Sequence, residues 1–133
     1  MKYILMMQYP VAGGDVPSMD QWPQTAVQAH MEHLRRFREE FTTSGEMIVT
    51  HALAGPDDAR FVRARQGAAP EVTDGPFPET KEFLAGYVIV DVDTAERAYY
   101  AASRWSEGPG PDGAPLNLPV EVRRIMWASG EDM

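Results

Sequence analysis

Residues 83–92, FLAGYVIVDV, are apolar on both faces of an extended strand. Phe83, Ala85, Tyr87 and Ile89 alternate to one side, and Leu84, Val88, Val90 and Val92 to the other. A strand with no polar face belongs in the interior of a sheet that is covered twice. The chain has 133 residues, enough for one domain and one core. Two amphipathic helices can cover one face of the sheet, and something else must cover the other.

The remaining segments supply the sheet and the helices. Residues 2–9, KYILMMQY, predict a first strand ended by Pro10 and the Gly13-Gly14-Asp15 turn. From about Asp20 to Thr43, Val27, Met31, Leu34, Phe37 and Phe41 form one helical stripe. Gly45 follows, where a helix end favours a left-handed residue. Residues 46–53 predict a second strand. Arg60 to Arg65, a Gln66-Gly67 turn and Glu71 to Thr73 predict a hairpin. Asp93, with Glu96 three residues on, predicts the cap of a second helix running to about Trp105. A Gly/Pro-rich loop from Gly108 to Pro115 leads to a last strand, Leu118 to Trp127.

This order predicts an α+β fold, the ferredoxin-like split βαβ arrangement with a β-hairpin insertion. Right-handed crossovers put both helices on one face. Tyr87 and Ile89 are then left on an oily second face, and at about 25 cal/mol per Å2 its exposure is unfavourable. A homodimer joined sheet to sheet, a dimeric α/β barrel, is the expected cover. Residues 1–128 read as one domain and 129–133 as a frayed tail.

Composition removes several classes of chemistry. The net charge of -8 argues against a nucleic-acid partner. With no cysteine, disulfides, thiolate zinc sites and cysteine nucleophiles are excluded. The apolar run in MKYILMMQ is too short to cross a bilayer, so no membrane association and a cytoplasmic location are expected. No GxSxG elbow or dinucleotide fingerprint is present, and no cofactor is expected. HMEH, residues 30–33, is not the HExxH of zinc hydrolases, and no metal is expected either.

Two places can carry chemistry. His30 falls inside the apolar stripe, where an imidazole needs a partner. It is either a core histidine bonded to a backbone carbonyl or an acid–base group titrating near neutral pH. His33 lies a quarter-turn off the stripe and is expected to be exposed, while His51 can point either way. In the loop from Asp74 to Glu82, Asp74 either caps its own turn or meets a ligand. Thr80, Lys81 and Glu82 converge with it in the second case, with Lys81 holding an anionic group. Tyr87 is counted with them as a substrate contact.

VTDGPFPETKE at residues 72–82, FLAGYVIVDVD after it, VEVRRIM near the end and MKYILMM at the start resemble the YCII-related family, specifically its DGPF branch. That resemblance implies a ferredoxin-like subunit in a dimeric α/β barrel. It also implies two kinds of role, since other members of the wider group are proposed to use a His/Asp pair in acid–base chemistry on small molecules, while the DGPF branch is often encoded beside extracytoplasmic-function sigma factors. The last strand lacks the proline that often follows the arginine, and the first helix carries two histidines where many relatives have none.

Two functions follow. In the first, the chain binds a small organic molecule or transforms it by cofactor-free proton transfer, elimination or isomerisation. His30 is then the catalytic base or acid, and Asp74 orients it or polarises the substrate. In the second, the chain is a non-catalytic regulator whose hairpin docks another protein, for example a sigma factor.

Overall fold

The structure, a computed structural model, describes residues 1–10, 16–75 and 81–127. Its strands are β1 (Lys2–Pro10), β2 (Met47–Ala52), β3 (Arg60–Arg63), β4 (Glu71–Asp74), β5 (Glu82–Asp91) and β6 (Val120–Arg124). Its helices are α1 (Gln24–Thr43) and α2 (Ala95–Ser106). β2, β5, β1 and β6 form an antiparallel sheet in that order, so β5 lies between β2 and β1 as its apolar faces require. This is the ferredoxin-like α+β order. β3 and β4 pair with each other in a separate two-stranded sheet, the inserted hairpin.

Both helices pack on one face of the large sheet. Tyr3 and Leu5 from β1 and Val88 and Val90 from β5 meet Phe37 and Phe41 of α1 and Ala98, Ala101 and Ala102 of α2. The three alanines let α2 approach closely, and Phe41 fills the space between the helices. Its ring lies 5.1 Å from that of Phe37 and 6.1 Å from that of Tyr100. The Arg97 guanidinium sits 5.1 Å from the centre of the same ring and grips the Glu46 carboxylate with bonds of 2.9–3.1 Å.

α1 ends as its sequence requires. Gly45 has φ +80, its N–H donates to the Thr42 carbonyl, and the Glu46 N–H donates to the Phe41 carbonyl. These two bonds satisfy carbonyls that would otherwise end the helix unpaired.

The helix boundaries differ from expectation in two places. The stretch from Asp20 is not continuous helix: Met19–Gln21 form a 3-10 turn, and α1 starts after Pro23. Proline lacks an N–H and suits only a helix's first turn, so the chain breaks there. The cap of α2 is Thr94 rather than Asp93, with its hydroxyl accepting from the Arg97 N–H at 3.2 Å.

The α1 stripe also divides. Phe37 and Phe41 enter the core, whereas Met31 is about half exposed and Leu34 is only partly buried. The reason lies in β5. Met7 pairs with Gly86, but the next residue, Gln8, pairs with Leu84, leaving Ala85 as an extra residue. This bulge shifts the alternation by one. Phe83 now pairs with Tyr9, in the series Tyr3, Leu5, Met7, Tyr9 that faces the helices, and not with Tyr87 and Ile89 as strict alternation predicts. The far ends of β1 and β5 therefore diverge from the core and leave a space beneath the first half of α1.

Among the described residues, no helix or strand covers the other face of the large sheet. Ile4 and Met6 of β1, Val49 of β2, and Tyr87 and Ile89 of β5 share it by register, and each is only partly buried. Glu121 and Arg123 of β6 border the patch.

Candidate functional site

The space beneath α1 is a cleft of about 560 Å3, within the range of small-molecule sites. Met31, Leu34 and Phe37 of α1, Met7 and Tyr9 of β1, Leu53 after β2, and Phe83 and Ala85 of β5 give it apolar walls, with Trp105 at one side. The polar residues lining it include Asp20, His30, Arg38 and Thr50. Burial raises the pKa of the Tyr9 phenol, which keeps it protonated and able to donate.

His30 is the most enclosed of these polar groups, with 8% of its surface accessible. Its Nδ1 lies 2.9 Å from the Pro109 carbonyl oxygen. A carbonyl only accepts, so Nδ1 carries the proton and Nε2 holds the lone pair. Trp22 packs edge-on against the imidazole with ring centres 5.5 Å apart. Burial lowers the pKa of His30, the bond to Pro109 opposes this, and the nearby His33 adds to the lowering. The net shift is downward, so the ring is neutral at pH 7. A neutral imidazole with one tautomer fixed is prepared to accept a proton at Nε2.

His33 is not free at the surface as expected. Its Nε2 lies 2.7 Å from the Arg104 carbonyl, one of the carbonyls left open at the end of α2. The two histidines therefore pin the end of α2 and the following loop to α1. Gly108 lies between them; a Cβ there would sit 3.3 Å from His33 Cδ2 and 3.4 Å from His30 Cε1. The return of the Gly/Pro-rich loop onto α1 is what brings the Pro109 carbonyl to His30.

The loop residues named from the sequence are not brought to His30. Asp74 ends β4, with its side chain 91% exposed and 3.3 Å from Arg60 Nε. It neither lines the cleft nor bonds to His30, whose Nδ1 partner is the backbone. Lys81 is exposed and outside the cleft walls. Glu82 starts β5 and lines a smaller neighbouring cavity of about 400 Å3, which shares Leu53, Gly55 and Phe83 with the first. Tyr87 lies on the open sheet face, its hydroxyl 2.7 Å from His51 Nδ1. Thr80 lies outside the described residues, as do the Gly13-Gly14-Asp15 turn and the tail from residue 129.

Asp20, Arg38, Tyr9 and Trp22 are the site residues that sequence reasoning passed over. Pro23 held the usable signal for Asp20 and Trp22, because a helix that starts after it leaves both residues on a turn before α1. Arg38 stands just over two helical turns from His30, at i and i+8, about 80° round on the same broad face of the helix.

The YCII-related domain model matches residues 1–108, which hold the first five strands, both helices and every wall of the cleft. The chain belongs to the YCII-related family. Comparison with curated proteins gave no match. In this YCII-related protein the family match ends just before Pro109, so the carbonyl that fixes His30 comes from outside the matched span. Among the described residues, no helix is long and apolar enough to cross a membrane, and no three His, Asp or Glu side chains are grouped to hold a metal ion.

Proposed function

We propose that the protein binds a small organic molecule in the cleft beneath α1 and that His30 acts on it as a general base in cofactor-free proton transfer, elimination or isomerisation. One observation carries the reading: a neutral imidazole of fixed tautomer lies in the wall of a largely apolar, ligand-sized cleft. In the simplest step, Nε2 takes a proton from an acidic C–H or O–H of the substrate. The electron pair left behind forms a new double bond or expels a leaving group. The imidazolium then returns the proton to the substrate or to water. Asp74 has no part in this scheme, and the Pro109 carbonyl orients the ring instead.

A thermal-shift screen of small phenols, quinones and organic acids tests the site. Hits are expected to raise the melting temperature of wild type and to lose that effect with His30→Ala. Ligands that stabilise both proteins equally would place binding away from His30.

We infer further that the protein is a cytoplasmic member of the DGPF branch and acts as a homodimer in the manner of a dimeric α/β barrel. The apolar patch of Ile4, Met6, Val49, Tyr87 and Ile89 supports the dimer, since a second copy of the same sheet is the simplest cover for it. Ile89→Arg puts a charge in that patch and is expected to convert dimer to monomer in sedimentation at micromolar concentration. A wild type that sediments as a monomer would remove the dimer reading.

The regulatory reading has two observations in its favour: His30 is bonded to a backbone carbonyl with Asp74 away from it, and the hairpin is open to solvent. Every residue of the β3 and β4 strands is exposed, with Val62 and Val72 at 66% and 60%. The cleft gives the binding reading the stronger support.

A further inference from the structure

We infer that the cleft selects an elongated organic anion, a mostly apolar body ending in a carboxylate, held with its anionic end at Arg38 and its reacting end at His30. This rests on the reading of the cleft as the ligand site and adds to it the class and the orientation of the ligand.

Arg38 differs from the neighbouring arginines. Arg35 is engaged by Glu32 and Glu39, and Arg36 by Glu32. Arg104, facing α1 from α2, is engaged by Glu40 and Glu107. Arg38 lines the cleft and has no carboxylate partner among the described residues. A guanidinium with unused donors at the edge of an apolar space favours a carboxylate, which it can meet with two parallel hydrogen bonds.

The spacing sets the length. His30, Leu34 and Arg38 follow one another at i, i+4 and i+8 and all line the cleft, with Met31 beside them. Eight residues of α-helix rise about 12 Å. The wall between the two polar ends is apolar, so the body of the ligand must be apolar as well. A compact polar anion would fill neither the length nor the walls.

Asp20, on the turn before α1, adds a carboxylate to the cleft lining. A carboxylate there repels the anionic end of a ligand and can accept a hydrogen bond from a ligand hydroxyl. With the anionic end drawn to Arg38, the apolar wall between directs the other end of the ligand toward His30.

The test uses phenylacetate, 3-phenylpropionate and 4-phenylbutyrate, each beside its neutral amide, measured by calorimetric titration at low ionic strength, where an exposed cation is least screened. Wild type is expected to bind the longer acids about two- to fivefold more tightly than their amides. Arg38→Gln is expected to erase that preference. Because Arg38 is exposed, this variant should fold normally, which circular dichroism checks. Leu34→Trp narrows the space and is expected to weaken acid and amide together. If amides bind wild type as well as the acids, or Arg38→Gln keeps the preference, the anion inference fails and the cleft reading stands. If no acid or amide binds, or Leu34→Trp changes nothing, both fail.

Discussion

Phe41→Ala is expected to lower the free energy of unfolding by about 3–5 kcal/mol, the range for deleting a buried aromatic ring. Phe41 has no accessible surface and touches both helices through Phe37 and Tyr100. Its loss also deprives Arg97 of one of its two aromatic neighbours, the other being Tyr100 at 4.9 Å. Domains of this size are stable by about 5–15 kcal/mol, so the variant should lose a large part of its stability. Urea denaturation measures it: the midpoint should fall with little change in slope. Met31→Ala on the same helix is the matched control. Its side chain lines the open cleft, and its cost should stay within about 1 kcal/mol. Equal losses at the two positions would mean that the core does not pass between the helices at Phe41.

The second large effect is on pH dependence. Because the pKa of His30 is lowered in the folded state, the unfolded chain takes up that proton first as pH falls below about 6.5. Stability linked to His30 is complete above that value and declines as pH drops toward the lowered pKa. One proton limits the slope to about 1.4 kcal/mol per pH unit. Glu46, held below the usual carboxylate range chiefly by its bond to Arg97, acts in the same direction but in a more acidic window, below about 4.5. Between pH 7.5 and 5, wild type should therefore lose stability that His30→Asn does not. The variant should be less stable at pH 7.5 by about 1–3 kcal/mol through loss of the Pro109 bond, and the gap should close on acidification. Parallel curves for the two proteins would show that His30 is not buried neutral.

Much of this architecture is legible in the sequence because it follows from where apolar side chains can hide. Val88, Val90 and Val92 mark the face beneath the helices, and the four-strand order follows from their burial together with the crossover rule. The site is harder to read because it arises where that regularity fails. One extra residue at Ala85 leaves the apolar pattern of residues 83–92 unchanged but moves Phe83 to the other side of the sheet. Pro23 moves the start of α1 past Asp20 and Trp22. The Asp74-Gly75 pair reads as a turn beside a binding loop, yet Asp74 closes the exposed hairpin opposite Arg60. His30 could be selected from the sequence because a polar residue in an apolar stripe calls for explanation. Its partner could not, since Pro109 is 79 residues away and contributes only a main-chain oxygen.

The bulge at Ala85 divides one strand between two kinds of work. After it, Val88 and Val90 are locked into the interior and tolerate little change in volume. Residues before it border open space, where substitutions alter what fits without loosening the fold. Descendants of such a chain can therefore reshape the cleft through Tyr9, Phe83 and Leu53 while their shared scaffold stays intact. An insertion or deletion near the bulge would be far more disruptive than any substitution, because it would turn the lining of the cleft toward the opposite side of the sheet.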